Sequence, residues 1–218
     1  MNKHEIKITA DNSPTLYNRE IGEHYRSVNG AVQESMHVFI KNGLNTVKKE
    51  NIKILETGFG TGLNAVLTLI EAEKNKQKIY YETIEKYPLS ENIIDKLFCF
   101  IDSGSNRILK QIHLTDWNKE VKITDFFTIK KIQADLLDFI PDKIFDIIYF
   151  DAFSPNKQPE LWTTEIFRKI FNATSPQGIL LTYSAKGTVK QALGNAGYTV
   201  KRLPGPPGKH HIIRAIKK

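Results

Sequence analysis

At 218 residues, 40% hydrophobic and 25% charged, the chain has the size of one soluble domain spanning 1–218 and long enough to bury a core. No apolar run approaches ~18 residues, nothing reads as a signal peptide, and a single cysteine excludes an internal disulfide, so membrane, secreted and multi-cysteine metal classes fall away and a cytoplasmic protein is expected. The net charge of +7 is lopsided, with eleven Lys and Arg against three Asp and Glu from Asp151 onward, which suits either a polyanionic partner such as RNA or a solubilising lysine-rich surface.

Residues 1–50 carry turn and aromatic signals in place of an opening strand, and they read as an N-terminal extension beside a ligand mouth. A helix start is expected near Gln33, with Met36, Phe39 and Ile40 on one face. Tyr25 and Arg26 can reach a ligand, although core or surface roles are the plainer reading. Residues 52–56 then form a first strand that breaks into Gly58, Gly60 and Gly62 before a helix from Leu63, expected to bury Leu63, Val66, Leu67 and Ile70. Glycines without Cβ atoms let a nucleotide lie against the backbone. A dinucleotide fingerprint needs Gly-x-Gly-x-x-Gly, and here the third glycine comes one residue early, which disfavours a dehydrogenase. The form Glu56-x-Gly58-x-Gly60-x-Gly62 resembles the first motif of class I S-adenosylmethionine-dependent methyltransferases.

A second strand at 79–84 closes on Glu85, placed 23 residues after Gly62 to accept both hydroxyls of a ribose. Pro88 opens a helix through Ile93, Ile94, Leu97 and Phe98, and Cys99 behind it reads as buried packing. Residues 112–132 suggest a small β insertion, followed by Asp135 at a strand end and by Asp138, read as a helix-start acid. The apolar run 144–150 is a buried strand ending on Asp151, and carboxyl ends of parallel strands are where open α/β sheets do chemistry. Asp151 is therefore the strongest catalytic candidate. A Pro-bounded loop to Trp162, a helix at 164–173, a turn at 175–178, a strand at 179–183, a helix at 186–196 and an antiparallel hairpin from 198–203 and 211–216 complete the chain. Six histidines show no zinc pattern, and no metal site is expected.

Four blocks occur in order: the glycine turn from Glu56 to Asn64, Glu85-Lys-Tyr-Pro-Leu89, Asp151-Ala-Phe-Ser-Pro-Asn-Lys-Gln-Pro-Glu-Leu-Trp162, and Ser184-Ala-Lys-Gly-Thr-Val-Lys-Gln-Ala-Leu193. Together they resemble the MnmC-type methyltransferase family, which completes 5-methylaminomethyl-2-thiouridine at the tRNA wobble position. The resemblance runs from about residue 14 to the end. It implies an α/β, Rossmann-like class I methyltransferase with a mostly parallel seven-stranded sheet and an antiparallel C-terminal hairpin. It also implies a stand-alone transferase without the fused flavin oxidase, using S-adenosyl-L-methionine to methylate an aminomethyl nitrogen.

By the same resemblance Glu56, Gly58, Phe59, Gly60, Gly62, Leu63, Asn64, Glu85, Asp135 and Asp151 hold the cofactor, and Asp151 also marks the transfer site. The expected partner is the tRNA anticodon stem-loop, with an oxidase or other wobble-uridine enzymes acting upstream. Lys157, Trp162, Lys186 and Lys209 are the expected RNA contacts, joined by Lys190, Arg202 and Arg214 on phosphates; Trp162, Phe153 and Tyr183 can stack against an extruded base, although core packing is the plainer reading of each aromatic alone. The loop Gly205-Pro-Pro-Gly-Lys-His-His211 departs from the family's arginine-rich pattern. A methyltransferase acting on a small-molecule amine would share every cofactor residue, and a silent RNA-binding module would share the fold.

Overall fold

The computed structural model describes residues 3–98 and 103–218, with the side chains of 98 and 103–106 also left aside; the packing expected of Cys99 and Phe98 lies outside the described residues. An antiparallel layer comes first, formed by β1 (His4–Ile8), β2 (Pro14–Asn18) and β3 (Glu23–His24). Short helix α1 (Ala31–Ser35) runs into a wider π-helical turn at Met36–Lys41, which buries Val38, Phe39 and Ile40 and leaves Met36 half-buried.

The central sheet is built from β4 (Asn51–Thr57), β5 (Lys78–Glu85), β6 (Glu120–Lys122), β7 (Phe127–Gln133), β8 (Phe145–Phe150), β9 (Thr174–Thr182), β10 (Thr199–Pro204) and β11 (His211–Ile216). Its order is β10-β11-β9-β8-β4-β5-β7-β6, with β9, β8, β4, β5 and β7 parallel and the two ends antiparallel. The sheet thus has eight strands, the expected seven plus the edge strand β6. The expected β insertion shrinks accordingly. Helix α3 (Glu91–Phe98) follows β5, residues 112–114 finish helix α4 (Ser103–Leu114), and β7 pairs parallel to β5 as a main strand, so only the three residues of β6 are added.

Five parallel strands buried on both faces need apolar side chains of both parities, and β8 supplies them. Ile147 and Tyr149 enter one core, with Ile54, Tyr81 and Phe39; Ile148 and Phe150 enter the other, with Leu55, Phe167 and Leu193. Helix α2 (Leu63–Asn75) packs in the first core through Ala65, Val66, Leu69 and Ala72. Of the expected stripe, Val66 is buried, Leu63 and Leu67 are half-buried and Ile70 is 38% exposed, because the helix is rotated to turn Asn64 and Thr68 inward as well.

Helices α5 (Thr164–Asn172) and α6 (Gly187–Ala196) cover the other face. The Thr163 side chain caps α5 by accepting from Ile166 N at 3.3 Å, and α6 ends on Gly197 at φ 114°. The expected turn at 175–178 is a bulge inside β9, where Phe145 faces Thr174 but Ile147 faces Ile179. Asp138 lies in a turn after β7 and starts no helix. Among the described residues no helix is long and apolar enough to cross a membrane.

Candidate active site

The chain leaves β4 toward β5 and β7, then returns to β8 on β4's other side. Between the carboxyl ends of β4 and β8 the loops diverge, and open α/β sheets form their ligand crevice at such a point. A cavity of about 450 Å3 lies there, walled by the segments after β4, β5, β7 and β8 and closed over by the N-terminal layer.

The glycine turn forms the first wall. Gly58 (φ 87°) lets β4 approach β8, since a Cβ on it would stand 2.9 Å from the Asp151 carbonyl oxygen. Gly60 (φ 52°) lies under the Tyr25 ring, which a Cβ would meet at 3.1 Å. Glu85 ends β5 with its carboxylate held by backbone amides, Oε2 accepting from Gly60 N at 3.0 Å and Oε1 from Tyr87 N at 2.9 Å. Burial raises its pKa against those bonds. Asp135, after β7, accepts from Leu137 N at 3.0 Å and pairs with Lys86 Nζ at 2.6 Å, which keeps it below the usual carboxylate range.

Asp151 continues from β8 into the cavity wall. Its Oδ2 accepts from Asn64 Nδ2 at 2.8 Å and is ion-paired to Arg26 Nη1, while no described residue donates to Oδ1. The side chains of Arg26 and Asp151 are only 4% and 6% exposed. The other Asn64 amide hydrogen goes to Glu56 Oε1 at 2.9 Å, and Thr83 Oγ1 donates to Glu56 Oε2 at 2.8 Å. Full burial pushes Glu56 up to about 7, even with the Arg26 charge and these bonds opposing it.

The expected cofactor residues therefore divide. Gly58, Gly60, Glu85, Asp135 and Asp151 line the cavity; Glu56, Phe59, Gly62, Leu63 and Asn64 do not. Phe59 turns to the far side of the loop, 5.0 Å from the His113 ring and edge-on to Trp117. Glu56 and Asn64 lie one step behind the cavity, Asn64 bonded both to Glu56 and to Asp151.

The expected RNA-contacting group divides as well. Trp162 is 6% exposed, donates Nε1–H to Phe153 O at 2.8 Å and packs on Phe150, so it is core and offers no face to a base. Tyr183 is tied to Ala152 O and covered by Lys209, which is also ion-paired to Glu34. Phe153 does reach the cavity, edge-on to Tyr25 at 5.0 Å. Lys157 lines the rim; Lys186 is exposed but bonded to Asn156 Oδ1, and Arg214 is half-buried with its Nε enclosed. Tyr25 and Arg26, given plainer roles in the sequence reading, are both cavity residues. The only sequence signal was a polar and aromatic cluster just ahead of the fold.

A family model described as S-adenosyl-L-methionine-dependent methyltransferase matches residues 102–218. The tRNA 5-methylaminomethyl-2-thiouridine biosynthesis bifunctional protein MnmC of Campylobacter hominis is 32% identical over 206 residues, covering 92% of this chain and 31% of that protein. The protein of the same name from Pseudomonas savastanoi pv. phaseolicola is 27% identical over 224 residues, covering 95% and 34%. The chain thus spans about a third of the length of these relatives. Among solved structures, MNMC2 from Aquifex aeolicus superposes with a TM-score of 0.84 at 26% identity, over 100% of this chain and 72% of that one. Spermidine synthase from Thermotoga maritima, at 0.62 and 13% identity over 99% and 69%, shares the fold.

Proposed function

The chain belongs to the S-adenosyl-L-methionine-dependent methyltransferases, and from that premise we propose that it methylates the aminomethyl nitrogen of 5-aminomethyl-2-thiouridine at the tRNA wobble position, giving 5-methylaminomethyl-2-thiouridine. The observation that carries this reading is the Asp151 carboxylate. It sits at the β4/β8 crevice with Oδ2 fully engaged and Oδ1 left for an incoming hydrogen-bond donor. The relatives are named for tRNA 5-methylaminomethyl-2-thiouridine, the product of the proposed reaction, which supports this reading, and a cytoplasmic location is part of the same proposal.

The residues present fit the cofactor. Thr57 Oγ1 lies at the cavity wall, buried and without a partner among the described residues. Glu85 spends one bond per oxygen on backbone amides, which leaves lone pairs for a ribose diol. Asp135 serves the adenine side, and Gly58 and Gly60, by admitting the Asp151 carbonyl and the Tyr25 ring close to the turn, shape the wall the ligand lies against. When bound, S-adenosylmethionine supplies an electrophilic methyl group on a sulfonium. Asp151 Oδ1 accepts a hydrogen bond from the acceptor amine and points its lone pair at that methyl carbon. Phe153 and Tyr25 give an unstacked base an apolar edge to rest on, and Lys157 at the rim meets phosphate. Enzymes that build and unmask the aminomethyl group act on the same uridine first.

Nucleoside mass spectrometry on aminomethyl-thiouridine tRNA incubated with the protein and S-adenosylmethionine tests this. A single added methyl on that nucleoside alone is the expected result. An unchanged nucleoside, with cofactor binding verified, transfers the activity to a small-molecule amine.

A further inference from the structure

The ion pair between Arg26 and Asp151 joins parts of the molecule 125 residues apart, the segment after β3 and the end of β8. Both side chains are buried, and both line the cavity. The ionisable groups facing Arg26 come from several elements: Glu56 on β4, Glu34 on α1, Tyr81 on β5 and Tyr183 after β9, besides Asp151 itself. Glu34 is matched by Lys209, both tyrosines stay neutral because burial raises their pKa values, and full burial lifts Glu56 to about 7, which removes part of its charge at neutral pH. The carboxylate that meets the acceptor is thus one half of a neutral pair.

That neutrality matters because an alkylamine has a reference pKa of ~10.4, and only its unprotonated form carries a lone pair. A lone buried carboxylate in this position would gain most by holding the ammonium, the unreactive form. A fixed cation beside it removes that gain and disfavours a second positive charge, as neighbouring cations do for nucleophilic lysines.

Resting on the methyltransferase reading above, we infer that Arg26 is a positioning residue that makes the site select the neutral acceptor amine: by pairing with Oδ2 it cancels the charge of Asp151 and leaves Oδ1 to accept one N–H. The amine gives its proton to solvent on binding. In the transfer the nitrogen lone pair forms the new N–C bond, the C–S bond breaks, and its electron pair returns to sulfur. The product leaves as the methylammonium ion, and no separate base is needed at the instant of transfer.

Calorimetry at pH 7, in two buffers of different ionisation enthalpy, reads the proton directly. The protein is loaded with S-adenosylhomocysteine and titrated with an anticodon stem-loop carrying 5-aminomethyl-2-thiouridine, then with the same stem-loop lacking the amine. The amine should account for about one extra proton released per RNA bound. Arg26→Met should bring that difference close to zero, tighten binding of the amine-bearing RNA and lower turnover by ~10-fold or more, since one unit of amine pKa is a tenfold change in neutral fraction. Arg26→Lys, which keeps the charge, should restore release, a rescue that a purely structural role would not produce.

Wild-type protein that binds the amine-bearing RNA without releasing the proton overturns the inference and leaves the tRNA reading standing. So does undiminished release by a folded Arg26→Met. Failure of the wild type to bind either RNA, with cofactor bound, removes the tRNA reading and this inference with it. If Arg26→Met does not fold, the wild-type proton count still decides.

Discussion

Asp151 and Arg26 depend on each other, and that shapes how either can be tested. Truncating Asp151 to alanine strands a buried guanidinium, and breaking such a pair costs about 3–5 kcal/mol. Asp151→Asn keeps the shape and one acceptor oxygen. It should cut turnover by ~100-fold or more while the affinity for S-adenosylmethionine, read by calorimetry, changes little. Equal losses in both would mean that Asp151 serves the cofactor first. Glu85→Ala should do the reverse and weaken the cofactor by ~10-fold or more, because it removes the diol acceptor and frees the Gly60 amide together. An unchanged dissociation constant would end the ribose assignment. That Asp151 and Glu85 line the cavity was legible in the sequence for a local reason: each is the acid that ends an apolar strand, and the carboxyl ends of parallel strands form the crevice. Arg26 was not, since nothing local to it encodes a partner 125 residues away. Trp162 misled because a tryptophan closing a Pro-rich loop reads the same whether it turns to solvent or, as here, into the α5 core.

Helix α4 and strand β7 brace the glycine turn from behind, and the sequence hid this by looking like loose strand pieces. His113, near the end of α4, donates Nε2–H to Thr61 O at 3.0 Å, and burial lowers its pKa to about 4, so it remains neutral and the brace persists across ordinary pH. Lys131 on β7 is fully buried, donates to His113 O at 2.6 Å and lies over the Trp117 ring at 4.7 Å. Desolvation pulls its pKa from 10.5 to about 8. Between those values the unfolded chain carries a proton that the folded chain has lost, so this residue makes stability rise with pH; below about 8 the cost of the buried ammonium is fully present. Urea midpoints measured from pH 7.5 to 10.5 should therefore climb more steeply in the wild type than in Lys131→Met. Parallel curves would mean that Lys131 titrates normally in the folded protein. The rotated face of α2 has a related origin. Buried polar contacts of Asn64, which the apolar stripe could not reveal, fix the helix's rotation.

Across the whole molecule the basic excess after Asp151 survives folding, but the cations that carry it do not all face outward freely. Lys209 is paired to Glu34 over the Tyr183 ring, Arg202 donates to Ala185 O at 3.2 Å, and Arg214 is half-buried. Lys157, on the rim of the cavity, sits in the same Pro-bounded loop that Asp151 begins, where a polyanion entering the site must pass. Each phosphate contact releases counterions, so its loss lowers the slope of log affinity against log salt by ~0.7–0.9. Fluorescence anisotropy of the anticodon stem-loop between 50 and 200 mM salt should show that decrease for Lys157→Ala. Lys209→Ala should leave the slope nearly unchanged and lower the melting temperature, because it leaves the buried Glu34 without its ammonium. If both variants flatten the slope equally, Lys209 exchanges Glu34 for phosphate when RNA binds, and the RNA-binding face extends from the cavity rim to the hairpin loop at 205–210.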